Sequence, residues 1–361
     1  MNCSERFTRN FHPVRCLIPC LFAAVLLLGA ALANPASAAK PKVVIKFATL
    51  APDGSTWMKT MRALDRDVRE ATANRVGFKF YSGGVQGDEG DVLRKIRVGQ
   101  LHGGGFTGYG LGSIAPDVRV LELPFMFESY DEIDYVRDEL DSLFVEMFAD
   151  RGMVLLGWAD VGFINLFSNA PIRSPGDLQH LKMWIWSGDR LAELFFKAFD
   201  VSPIPLAVPD VLTSLQMGVV DAVYSSPLAC IAVQWFTRVK YMTDVPVTHS
   251  VGAVLVSTRA LQSVSPDDMD ALIELSRKHL GTLNEQTRIQ NREAVDEIQQ
   301  EGIEVVKITD DARQQFFNTG RRAWNDGIGD IYSREILDRV TELLREYRRR
   351  APVPASTGTG E

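Results

Sequence analysis

Cysteine is scarce: Cys3, Cys16 and Cys20 fall within residues 1–39, which leaves Cys230 alone in the rest of the 361-residue chain. A single thiol there excludes an intramolecular disulfide. Basic residues are outnumbered by acidic ones, 39 against 46, for a formal net charge of −7. No Lys/Arg stripe runs through the body of the chain, so nucleic acid is not an expected partner. None of the five histidines stands in HExxH or HxH spacing, and Cys230 has no near partner, so neither a metal nor a cofactor is expected. The nucleophile elbow GxSxG and the phosphate loop GxxxxGK[ST] are both absent. Without a recognisable nucleophile or general base, the chain does not read as an enzyme. Beyond residue 33 no apolar run is long enough to cross a bilayer.

What is present begins with a targeting pattern. Arg6, Arg9 and Arg15 precede an apolar run over residues 21–33, followed by Asn34-Pro35-Ala36-Ser37-Ala38. A basic start, a short apolar core and small residues in A-x-A order match a secretory signal, with cleavage expected after Ala38 or Ala39. Thirteen helical residues rise about 20 Å, short of a hydrocarbon core of roughly 30 Å. Cys20 precedes the apolar run instead of following it, so it is not read as a lipidation site. Residues 1–39 carry three arginines and one glutamate, so their removal shifts the net charge to −9. The expected location is the periplasm. The full chain is 46% hydrophobic and 24% charged, a globular composition, and its length suits two domains.

Strand and helix patterns alternate through the chain. Residues 43–49 read as a buried strand, Pro52-Asp53-Gly54 as a turn and Ser55 as a helix cap. Met58, Met61, Leu64, Val68 and Ala71 then recur on one helical face. Strands are expected at 76–81, 103–107, 154–158, 164–168, 183–186, 219–224, 251–257 and 304–307, and helices at 91–98, 130–151, 189–199, 210–217, 227–235 and 319–350. This order implies parallel strands covered by helices, an α/β sandwich. Residues 265–300 hold no proline after Pro266 and one glycine, Gly281, so they predict one uninterrupted helix of about 54 Å that could bridge two lobes. Residues 351–361 have linker composition and are expected to be disordered.

Gly103-Gly104-Gly105-Phe106-Thr107-Gly108 spells GxGxxG, but a dinucleotide fingerprint needs a helix directly after it. Tyr109-Gly110-Leu111-Gly112 is poor helix material, so the glycines are read instead as allowing close backbone approach.

Other fragments carry a family resemblance. Gln86-Gly87-Asp88, then Leu93, Ile96 and Gly99-Gln100-Leu101, resemble a signature of the solute receptors of TRAP (tripartite ATP-independent periplasmic) transporters, DctP type. Leu121-Glu122-Leu123-Pro124-Phe125, Ser174-Pro175-Gly176-Asp177-Leu178, Pro203-Ile204-Pro205 and Leu215-Gln216-Met217-Gly218-Val219-Val220-Asp221 follow in the family's order, over about residues 43–310. The resemblance implies an α/β, two-lobed, type II-like periplasmic binding protein with a central cleft and a long helix spanning both lobes. Lobe I would comprise 40–162 and 253–293, and lobe II 163–252 and 294–350. It also implies a membrane permease driven by an ion gradient as partner and, for one subgroup, a tetratricopeptide-repeat protein.

The chain departs from the family where relatives hold carboxylates. Their arginine after the Leu181-Lys182-Met183 motif is replaced by Trp184, and a second arginine position falls at Ile164. Charged cleft positions fall near Thr107 and Gly110. The candidate ligand-binding residues are therefore Trp184, Trp186, Trp57, Tyr109, Thr107, Phe163, Ile164, Ser187, Val208, Tyr224 and Ser226. They point to an apolar or amphipathic ligand. A carboxylate held differently, for instance by Arg173 or Arg190, stays open, as does a sensor feeding a signalling partner.

Overall fold

The computed structural model describes residues 41–350; the expected signal segment and the tail lie outside the described residues. β1 (Val43–Ala48) buries Ile45 and Phe47 completely. Ser55 caps α1 (Thr56–Ala71) by accepting the Met58 amide at 3.2 Å. Met58, Met61, Leu64 and Val68 form its buried face, whereas Ala71 is exposed and Thr72 closes that face instead. β2 (Val76–Tyr81), α2 (Glu89–Arg97) and β3 (Gly103–Thr107) follow. Directly after β3 comes a single turn, α3 (Gly108–Gly112), where the glycine-rich sequence predicted none.

The helix expected over 130–151 is two, α4 (Tyr130–Glu139) and α5 (Asp141–Ala149), broken at Leu140. β4 (Met153–Trp158) and β5 (Gly162–Ser168) come next, then β6 (Trp184–Trp186), α6 (Arg190–Ala198), β7 (Ile204–Leu206), α7 (Val208–Gln216), β8 (Ala222–Ser225) and α8 (Pro227–Ala232). Two short strands with no readable pattern, β9 (Tyr241–Thr243) and β10 (Thr248–Ser250), precede β11 (Gly252–Ser257) and α9 (Thr258–Leu261). The long helix α10 (Pro266–Gln300) is unbroken over 35 residues, about 52 Å. β12 (Glu304–Val306), α11 (Asp310–Gly320), α12 (Arg322–Asp326) and α13 (Arg334–Arg350) complete the described chain.

The strands form two five-stranded sheets and a separate β6–β7 pair. The first has the order β2-β1-β3-β11-β4. β1 runs parallel to β2 and β3, but β11 is antiparallel to both neighbours, so the sheet is mixed where the alternating pattern predicted parallel strands. The reason is connectivity: β11 arrives from β10 through Val251 with no crossover helix to turn it round. The second sheet joins β10, β5, β9 and β12, with β8 also on β5.

The chain passes from the first sheet to the second at residues 159–161, and α10 serves both. Leu272, Leu280 and Leu283 pack in the core beneath β1, and Ile298 packs with Trp184 and Trp235. Between them α10 is fastened to the crossing segment. Asn284 accepts the Asp160 amide at 2.8 Å and donates to the Trp158 carbonyl at 3.2 Å. One heptad on, Asn291 donates to the Val161 carbonyl at 3.0 Å and accepts the Leu228 amide at 3.1 Å. No helix among the described residues is long and apolar enough to cross a membrane.

Candidate functional site

Elements of both sheets enclose a cavity of about 970 Å³. One wall begins at the glycine run. A Cβ at Gly108 would collide with the Glu122 carboxyl and one at Gly110 with Glu89 Oε2, while Gly105 lies against the Trp57 indole. The small residues thus make room for two carboxylates, and the GxGxxG spelling is a packing device. Trp57 itself stacks on Phe47, with ring centroids 6.1 Å apart.

Glu89, in the first turn of α2, is buried and accepts the Thr107 amide at 2.9 Å and its hydroxyl at 3.2 Å. Burial holds its carboxyl well above the usual range, against the pull of those hydrogen bonds. Asp88 caps α2 and also accepts the Trp186 indole N–H at 2.7 Å; burial raises its pKa too. Trp186 stacks on Tyr109 at 5.0 Å, and the Tyr109 hydroxyl donates to the Ser187 carbonyl at 2.9 Å.

Against the same glycine run lies a charged cluster. Arg119, Glu122 and Asp189 are all buried. Arg119 is 3.0 Å from Glu122 and 2.8 Å from Asp189. Glu122 is further held by the Ser250 hydroxyl at 2.8 Å and the Val251 amide at 3.0 Å, and burial lifts its pKa in spite of Arg119. Asp189 caps α6, accepting the Leu191 and Ala192 amides. Asp160 also faces the cavity but is neutralised from behind by Arg137 at 2.7 Å and Arg288 at 3.4 Å.

Nine of the eleven candidate residues line this cavity: Trp57, Thr107, Tyr109, Ile164, Trp184, Trp186, Val208, Tyr224 and Ser226. Phe163 does not. Successive β5 residues point to opposite faces, so it packs with Tyr130 at 4.9 Å and His249 at 5.3 Å. Ser187 is also outside the lining and contributes only the carbonyl that receives Tyr109. Trp184 belongs to the wall but is only 1% exposed. Its ring stacks on Tyr224 at 4.8 Å and meets the edge of Trp235 at 5.0 Å, and its indole donates to the Leu206 carbonyl.

Sequence reasoning pictured a cleft emptied of charge. It missed Arg119, Glu122, Glu89 and Asp189, which line the cavity, while Arg173 and Arg190 do not. Arg190 pairs instead with Glu193 and Asp330 at the surface. One cue was available: Arg119 and Glu122 stand three apart inside an otherwise apolar stretch, and charged residues enter such a stretch when paired.

A mixed two-sheet α/β body with a large cavity between the sheets and one helix shared by both is the architecture of a periplasmic solute-binding protein. Residues 47–330 match the family Bacterial extracellular solute-binding protein, family 7 (DctP), and the chain belongs to that family. That family is one of solute-binding proteins. A solute-binding protein of Chromohalobacter salexigens is 30% identical over 165 residues, 45% of this chain and 49% of that one. The chain thus matches about half the length of that relative. Solute-binding protein RD1_1052 of Roseobacter denitrificans is 26% identical over 248 residues, 68% and 75% of the two chains. The crystal structure of a TRAP periplasmic solute-binding protein from Xanthobacter autotrophicus Py2, with bound β-D-galacturonate, superposes with a TM-score of 0.78 at 18% identity, covering 83% of this chain and 99% of that one.

Proposed function

We propose that this receptor takes a small amphipathic solute without a free carboxylate into the cavity between its sheets and delivers it to an ion-gradient-driven membrane permease. One observation carries the reading: the single guanidinium in the cavity wall, Arg119, is already bound by two carboxylates, Glu122 and Asp189. A guanidinium so engaged has no free fork for a substrate carboxylate. The remaining inner wall is dominated by aromatic and apolar groups. Burying about 300 Å² of apolar solute surface on it would supply roughly 7 kcal/mol before association costs.

The proposed lobes are 40–162 with 253–293 and 163–252 with 294–350. In support, the first sheet draws on β1 to β4 and β11, and the second on β5, β8 to β10 and β12. Export by a cleaved N-terminal signal is part of the same reading, as is docking on a permease with or without a tetratricopeptide-repeat accessory protein.

Titration calorimetry of the purified receptor tests it. Succinate and D-galacturonate should give no heat, and neutral amphipathic solutes of similar size should bind. Micromolar binding of either carboxylate overturns the reading. Native mass spectrometry of protein taken directly from the periplasm supplies the co-purified solute itself.

A further inference from the structure

We infer that the solute carries a positively charged group, a protonated amine, a quaternary ammonium or an amidinium, seated on the Tyr109–Trp186 pair within reach of Glu89 and Asp189. The inference rests on the cavity being the solute site and concerns only the charge of what enters it.

Four carboxylates, Asp88, Glu89, Glu122 and Asp189, surround that aromatic pair and its neighbour Tyr224, against one guanidinium. Arg119 neutralises at most one of them. Every hydrogen bond to Asp189 converges on Oδ1, so Oδ2 accepts none. A buried excess of negative charge costs several kcal/mol unless a counter-charge or a proton compensates it. The two tyrosines report the same field. Burial first, then the charges of Asp88, Glu89 and Asp189, raises the pKa of Tyr109, and burial followed by Asp189 raises that of Tyr224.

Aromatic faces add their own preference. Tyr109 and Trp186 line the cavity as a stacked pair, and an aromatic face left open to the cavity attracts a cation within about 6 Å by roughly 0.5–2 kcal/mol. At the cavity rim α10 contributes exposed Glu293 and Glu297, opposed by Lys59 of α1. An acidic mouth draws cations inward and slows anions. An incoming carboxylate would meet unfavourable charge at both the rim and the wall.

The test uses one isosteric pair and one series of like skeleton whose head groups differ in charge. Choline and 3,3-dimethylbutan-1-ol form one pair; phenethylamine, 2-phenylethanol and 3-phenylpropionate form a triad. Calorimetric titration of the whole receptor should rank each ammonium compound about tenfold above its neutral isostere, with the carboxylate undetected up to about 10 mM. Glu89→Gln and Asp189→Asn should each cut the ammonium-to-neutral affinity ratio at least about fivefold. A merely structural role would lower both affinities and leave the ratio in place. If neutral compounds bind as well as ammonium ones, the charge inference falls and the amphipathic reading stands. Carboxylate binding at comparable affinity overturns both. No ammonium binding up to about 10 mM overturns the inference.

Discussion

The indole of Trp186 and the carboxylate of Asp88, 98 residues apart in sequence, meet through a 2.7 Å hydrogen bond from Nε1 to Oδ2. The bond ties β6 to the N-terminal cap of α2, and the same indole forms one side of the Tyr109 stack. Trp186→Phe keeps a ring but removes the donor. Hydrogen bonds to charged partners contribute about 1.5–3 kcal/mol, so this variant should lose about 2 kcal/mol in urea unfolding. No measurable loss would mean that water replaces the contact.

Arg119 should be far less dispensable than a surface arginine. Arg119→Leu leaves Glu122 and Asp189 buried without their counter-charge, and breaking such a cluster costs about 3–5 kcal/mol. The defect should shrink on acidification, because Glu122, raised by burial and no longer offset by Arg119, takes up a proton on folding. Chemical unfolding at pH 5 and pH 8 measures both effects; a loss that grows at low pH contradicts the account.

His249 sets a pH dependence of its own. It is 1% exposed, and neither ring nitrogen has a hydrogen-bond partner. Tyr130 and Phe163 press on its ring, and Arg137, Arg288, Asp134 and Asp160 are its charged neighbours. Burial drives its pKa down to about 4. The unfolded chain, with an ordinary histidine near 6.5, therefore binds the extra proton between these values, and stability falls as pH drops through that window by up to about 3 kcal/mol. Above pH 6.5 this contribution is flat. His249→Phe should flatten the slope of unfolding free energy between pH 6.5 and 4 while leaving the steeper carboxylate-driven loss at lower pH.

Trp184 is covered by Tyr224 and Trp235, so its replacement acts first on the fold. Trp184→Ala should cost about 3–5 kcal/mol through the cavity it opens, while the Leu206 carbonyl keeps the Ser187 amide as its donor. Trp184→Phe should recover most of the packing loss. Thermal unfolding of the two variants separates packing from solute contact: a stable Trp184→Ala protein would show that the indole serves the solute alone.

Gly281 lies exposed within α10, and a Cβ there would meet nothing within 4 Å. Gly281→Ala should therefore stabilise the protein by about 0.5–1 kcal/mol, read as an increased urea midpoint. A decrease would place an unseen neighbour at that position.

Periodicity made the helices legible. Met58, Met61, Leu64 and Val68 announced α1 and Ser55 its cap, and the absence of breakers announced α10 to within a residue. Three-residue strands such as β9 and β10 carry too little pattern, and their pairing with β5 and β12 is decided by tertiary contact. The cavity was legible through its aromatics, because two residues along a strand Trp184 and Trp186 share a facing side; Phe163, named beside Ile164, falls on the other face of β5 and outside the lining. Its charges were not legible. Arg119 and Glu122 sit in a 3₁₀ turn at Pro116–Glu122, where no strand or helix period indicates which side faces inward, and only the fold brings Asp189 to them.

Asn284 and Asn291 fasten the residues between the sheets to α10 by three hydrogen bonds to backbone groups, and a fourth ties α10 to the Leu228 amide of α8. A joint so fastened cannot stretch or twist freely. An opening of the cavity would turn about this short axle and the second crossing at Val251, which Ala159 joins through its bond to the Gly252 carbonyl, with the 35-residue helix as the shaft. Displacement grows with distance from a pivot, so the far rims of the sheets would travel while Trp158, Asp160 and Val161 stay put. Amide exchange would then be slowest at the crossing strand and fastest at the rim, a gradient set by two asparagine side chains.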